Sequence, residues 1–123
     1  MRRAQNALEE ASALGEILVS PVVYAELLVA PLRDEAFLEM FLKDTRIQIE
    51  EHLTFAMWRS AGLAFGGYAQ RRRAQPGDPG PRRILADFLI GAHASELGAR
   101  LLTFDSGVYR AAFPNLEVVV LPT

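Results

Sequence analysis

Cysteine is absent from the 123 residues, which excludes a disulfide framework, a thiol nucleophile and a zinc or iron–sulfur site built on thiolates. With two histidines in all, a metal would have to be held by oxygen or by that imidazole pair. Lysine is nearly absent too, Lys43 standing alone against twelve arginines. No apolar run approaches a membrane span, the stretch 21–30 being far too short, and the N-terminus lacks the apolar core of a secretion signal. A cytoplasmic protein is the simplest expectation. There is no phosphate loop of the GxxxxGK(S/T) or GxGxxG kind, no internal repeat and no low-complexity tract.

The rest of the composition is that of a globular domain. Hydrophobic residues make up 50% and charged residues 23%, which argues against both disorder and a coiled coil. The length suits one domain that buries roughly two-thirds of its unfolded surface. A net charge of -2 excludes the overall basic coat of a non-specific nucleic-acid binder. Yet Arg71, Arg72, Arg73, Arg82 and Arg83 lie close together with Asp78 the single acid among them, so a local basic patch is expected.

Along the chain, helix is expected over 3–14, closed by Gly15, then a short apolar run, EILVS at 16–20, reads as a buried parallel strand. Ser20 and Pro21 form a helix opening, with Ser as N-cap and Pro at the first helical position, for a helix over 21–30. Pro31 breaks it, and helix resumes over 33–43. A short strand is expected at 46–49 and a long helix over 52–73, weakened in its middle by Gly62, Gly66 and Gly67. Loop follows at 75–81, dense in Pro and Gly, then helix over 82–97 closed by Gly98. Strand at 100–104, a short helix at 106–113 and a last strand at 117–121 complete the order. This alternation predicts an α/β fold, a parallel sheet of four recognisable strands sandwiched by helices. Ligands in such sheets sit beyond the carboxyl ends of the strands.

Three of the fifteen acids stand in apolar surroundings or at that edge. Glu26 interrupts VVYAELLVA and is expected to be half-buried; Asp87 interrupts ILADFLIGA and is expected to face an apolar layer; Asp105 directly follows the strand RLLTF. An unpaired buried carboxylate is so costly that it is protonated or is paired with a cation. Each acid alone has an ordinary explanation: a helix cap for Asp105, an arginine partner or a partly exposed helix edge for Glu26, an ion pair with Arg83 one turn away for Asp87. Their elements allow all three to converge on one crevice, where they would repel unless a cation joined them. Hard Mg²⁺ or Mn²⁺ suits such an all-oxygen pocket, and the implied chemistry is metal-assisted phosphoryl transfer. Without metal, neutralising one acid is expected to stabilise the protein.

Three stretches, ILVSPVVYAEL, RRILADFLIGAHASELGARLLTFD and FPNLEVVVLP, resemble the PIN-domain nucleases, most closely the VapC-like toxins of bacterial toxin–antitoxin pairs. The resemblance runs from about residue 16 to 121. It implies a single PIN-like domain over 1–123 in which Glu26, Asp87 and Asp105 match three of the family's four metal-binding acids and Thr103 its usual hydroxyl residue. It departs from the family at the start. PIN domains open with a central strand ending in Asp, and here no Asp occurs before Asp34, so the domain is expected to be N-terminally incomplete, lacking the first strand and first acid. Either translation begins upstream of Met1 or the chain is a shortened relative.

The function this implies is a metal-dependent endoribonuclease acting as a toxin, with Mg²⁺ or Mn²⁺ as cofactor, RNA as substrate, an antitoxin protein as partner and a homodimer as assembly. Glu26, Asp87, Asp105 and Thr103 would carry catalysis, and Arg71, Arg72, Arg73, Arg82 and Arg83 would hold RNA phosphates, or meet the acids of an antitoxin. A catalytically inactive scaffold that only binds an antitoxin or other protein is the alternative. A phosphoacceptor signalling domain would need a lysine beside its acids near the late strands, and Lys43 is far from them in sequence. His52, His93, Trp58, Met40 and Met57 are expected to be structural, the last three in core or dimer packing.

Overall fold

The computed structural model describes residues 2–29, 34–77, 83–105 and 107–122, the first four of them as backbone. The chain forms two compact units, Met1–His52 with Leu121–Thr123, and Leu53–Val120.

In the first unit, α1 (Arg2–Leu14) ends in a turn whose Gly15 N–H donates to the Ala11 carbonyl at 3.1 Å. β1 (Leu18–Val19) leads to Ser20, whose Oγ accepts from the Val22 N–H at 3.2 Å. That cap, with Pro21 already fixed near helical φ, starts α2 (Pro21–Val29) where the sequence places it. α3 (Glu35–Thr45) is capped by Asp34, which accepts from the Phe37 N–H at 2.8 Å. It ends on Arg46 in the left-handed region, φ 60°, and the Ile47 N–H bonds back to the Leu42 carbonyl at 3.1 Å. A strand expected from Arg46 therefore begins two residues later, as β2 (Gln48–Ile49), which pairs in parallel with β1, Leu18 opposite Gln48 and Val19 opposite Ile49.

The second unit holds α4 (Phe55–Ala74), α5 (Leu85–Leu97), β3 (Leu101–Thr103), α6 (Gly107–Ala112) and β4 (Val118–Val120). Thr54, not His52, opens α4, its Oγ1 accepting from the Met57 N–H at 3.3 Å. The three glycines expected to weaken α4 leave it continuous for 20 residues. β3 and β4 pair in parallel, Leu101 opposite Val118 and Thr103 opposite Val120. Phe88 on α5 is fully buried between Phe65 and Tyr68 of α4, with ring centroids 5.1 and 5.5 Å away. Removing such a side chain from water contributes about 2–3 kcal/mol. Gly91, one turn on, lets the Phe113 ring lie directly against α5: a Cβ there would fall 2.7 Å from Phe113 Cδ2. Gly98, at φ 66°, closes α5 as expected, with the Ala99 N–H bonded to the Ala94 carbonyl at 3.0 Å.

The four expected strands are present, but they pair as two separate parallel ladders, β1 with β2 and β3 with β4. The strand that the PIN resemblance places between β1 and β3 is not among the described residues. Met57 is buried as expected, whereas Met40 and Trp58 remain exposed: on their helices they point away from the packed face. The expected loop is described only at 75–77; its remainder, with Asp78 and Arg82, lies outside the described residues.

Candidate functional site

Asp105 follows the carboxyl end of β3, in a turn that fixes both its backbone and its side chain. Its N–H donates to Thr103 Oγ1 at 3.1 Å, the Thr103 hydroxyl donates to the Asp105 carbonyl at 3.2 Å, and the Gly107 N–H donates to Asp105 Oδ1 at 3.1 Å. Thr103 thus braces Asp105. The other carboxylate oxygen, Oδ2, faces Arg83, with Nη1 at 2.7 Å. The bond from Arg83, then that from Gly107, holds the Asp105 carboxyl below the usual aspartate range, outweighing a small opposing effect of burial. The Arg83 guanidinium is correspondingly raised, first by its bond to Asp105 and further by the charges of Asp105 and Asp87, against the effect of burial.

Arg83 reaches this place because Tyr68 anchors its backbone. The Arg83 N–H donates to the Tyr68 hydroxyl at 2.9 Å and Arg72 Nη1 donates to the same oxygen at 3.2 Å. Burial works to raise the Tyr68 hydroxyl, but the N–H of Arg83, the guanidinium of Arg72 and the two positive charges together hold it below the usual phenol range. Tyr68 links the apolar packing of α4 on α5 to the polar cluster above it. Sequence reasoning passed it over; its spacing of four residues from Arg72 on one helix was the available signal.

Asp87 lies in the first turn of α5, half-buried. Its Oδ2 accepts from the Ile84 N–H at 3.2 Å, and its own N–H donates to the Ile84 carbonyl at 3.1 Å. It therefore caps its own helix, and does not face the apolar layer: that layer belongs to Phe88, Leu89, Gly91, Ala92 and His93, all buried. The ordinary explanation offered for Asp87, an ion pair with Arg83, is not what is found, since the bonded partner of the guanidinium is Asp105. Glu26, expected half-buried, is exposed on α2, a helix with no buried residue. It belongs to the first unit, Asp87 and Asp105 to the second. Within neither unit, among the described residues, do three His, Asp or Glu side chains gather in a group that could hold a metal ion. Arg71 and Arg73 are exposed in the last turn of α4 and Arg72 is half-buried there. His93 is buried and His52 exposed, its N–H donating to Glu50 Oε1 at 3.2 Å. An open depression over Ser60, Leu63 and Phe113 contains none of the three acids.

The chain matches the PIN domain over residues 1–114. It belongs to the PIN-domain family. Comparison with curated proteins and with solved structures finds no match. PIN domains are α/β folds and generally metal-dependent nucleases that act on RNA or DNA, which places this chain in the nuclease class at that level. Asp87 and Asp105 offer the carboxylate oxygens that a hard divalent cation takes, but among the described residues they do not gather with a third donor into a group that could hold one. Among the described residues, no helix is long and apolar enough to cross a membrane.

Proposed function

We propose that this chain acts, as one PIN-like domain, as a metal-dependent endoribonuclease of the VapC-like toxin kind, cytoplasmic, homodimeric and inhibited by an antitoxin protein. The observation that carries the reading is the placement of Asp105 beyond the carboxyl end of β3, braced by Thr103. Asp87 and Asp105 are the residues of the second unit that would hold Mg²⁺ or Mn²⁺. When bound, such an ion supplies polarisation of the scissile phosphate and an activated water. Thr103 positions Asp105 through the two bonds of its hydroxyl. Arg71, Arg72 and Arg73, in the last turn of α4, with Arg82 and Arg83, would take backbone phosphates of RNA, a planar guanidinium being suited to their oxygens.

The test is cleavage of a single-stranded RNA and of a DNA of the same sequence, in Mg²⁺, in Mn²⁺ and in EDTA. RNA cleavage that needs the metal and falls by about 10² or more in Asp105→Asn supports the reading. Cleavage of DNA alone would move the substrate, and cleavage of neither would favour a second reading, an inactive PIN scaffold that only binds a partner. That second reading has its own support: both candidate acids of the second unit are already engaged, Asp87 by a helix cap and Asp105 by an ion pair.

A further inference from the structure

The three arginines that close α4 are not alike. Arg71 and Arg73 are exposed, whereas Arg72 is half-buried and its Nη1 donates to the Tyr68 hydroxyl, four residues back on the same helix, at 3.2 Å. That hydroxyl is itself fixed. The Tyr68 ring packs against Phe65 and Phe88, with centroids 6.4 and 5.5 Å away, and Phe88 is fully buried. The phenol oxygen also accepts from the Arg83 N–H at 2.9 Å, a backbone group one residue before the Ile84 N-cap of α5. An arginine on a flexible stem loses rotamer freedom when it grips a phosphate. One already bonded to a rigid oxygen loses less.

We propose that Tyr68 is a positioning residue for RNA, its hydroxyl pre-orienting the Arg72 guanidinium so that Arg72 takes a backbone phosphate with less loss of side-chain freedom than Arg71 or Arg73. The inference rests on the RNA reading above and adds to it a residue with no charge of its own. Tyr68 acts through Arg72 and needs no contact with the strand. The same oxygen ties Arg72 to the backbone of Arg83, whose guanidinium bonds Asp105 at 2.7 Å, so a strand gripped there is joined to the bonded chain that ends at the Asp105 turn. A residue of this kind changes affinity without changing how many phosphates are neutralised. Salt dependence separates the two.

Anisotropy of a short fluorescent oligouridylate, titrated with the intact chain in EDTA over a range of salt, reads both quantities for wild type, Tyr68→Phe, Arg72→Ala and the double variant. Tyr68→Phe keeps the packed ring and should bind about threefold to tenfold more weakly with the salt slope unchanged, the range expected when one long side chain has to be ordered on binding. Arg72→Ala should lose at least as much affinity and also about 0.7 from the slope, one phosphate contact. The double variant should bind no more weakly than Arg72→Ala, since without the arginine the hydroxyl has nothing to position. Losses that add, or a Tyr68→Phe protein that binds as wild type does, would overturn the proposal and leave the hydroxyl serving the fold alone. A wild type that binds no RNA would overturn it together with the RNA reading. Should Tyr68→Phe not fold, the wild-type protein decides by NMR. The Arg72 guanidinium N–H signals should exchange with water more slowly than those of Arg71 and Arg73, and should shift as the RNA is added; equal exchange, or signals unmoved at saturating RNA, overturns the proposal.

Discussion

Asp105 is held by donors of two kinds, a guanidinium on Oδ2 and a backbone N–H on Oδ1, and the two can be separated by titration. Its carboxyl lies below the ordinary value, about 3.9, chiefly because of Arg83. A depressed folded-state value means that the pair stabilises the protein above the unfolded value and that this contribution is lost as pH falls through the folded one. In Arg83→Gln the Asp105 midpoint should rise toward the ordinary value, read from its carboxyl carbon by NMR. An unchanged midpoint would assign the shift to Gly107 alone. The same geometry reverses an expectation drawn from sequence. Clustered acids without metal should repel, so that neutralising one stabilises the protein, but Arg83 already supplies the missing charge. Asp105→Asn should therefore lower the melting temperature in EDTA by a few degrees, since an exposed pair is worth about 0.2–1 kcal/mol. A rise would restore the repulsion argument. Spacing allowed Asp87 as an ordinary partner for Arg83; the choice of Asp105 depends on how β3 returns beside the start of α5, which no local pattern encodes.

Between elements, the chain leaving α6 packs on α5 at Gly91. Phe113 follows directly on α6, and its ring occupies the space where a Gly91 side chain would stand. Gly91→Ala gains about 0.5–1 kcal/mol of helix propensity but forces the ring to move, at about 1–3 kcal/mol. Overpacking wins, so urea unfolding should show a net loss, and Phe113→Leu in the same background should recover part of it. A net gain in Gly91→Ala would mean that the ring has room to swing away. Element ends were legible where the chemistry is local: Ser20 with Pro21 opens α2 and Gly98 closes α5, as read. They were not legible where an unusual residue does the work. Arg46 adopts the left-handed cap that glycine usually takes, at about 1–2 kcal/mol, and so read as the start of a strand. Thr54 lay inside a segment already assigned to helix from its apolar residues. The three-glycine middle of α4 misled in the other direction, because packing against α5 outweighs propensity.

Over the whole chain, the net charge of -2 and the proposed RNA substrate pull against each other, since a polyanion is repelled unless basic groups are concentrated where it lies. The last turn of α4 supplies that concentration with Arg71, Arg72 and Arg73, and the Tyr68 hydroxyl gathers Arg72 and the Arg83 backbone at one oxygen. The arginine run was visible in sequence, and so were Asp87 and Asp105; what was not visible is that Tyr68 joins the run to the acids, because it stands 15 residues from Arg83 and is linked through a tertiary contact. If these arginines hold phosphates, each neutralised phosphate releases counterion, and the logarithm of RNA affinity falls with the logarithm of salt by about 0.7 per contact for a single strand. Arg71 and Arg73 are exposed, so replacing both with alanine should leave the fold intact. Binding of a short fluorescent RNA, measured by anisotropy in EDTA so that nothing is cleaved, should then weaken similarly for every sequence tried, and the salt slope should shrink by about 1.4. An unchanged slope and affinity would make the run a solvated helix end, and RNA would have to reach Asp105 by another face.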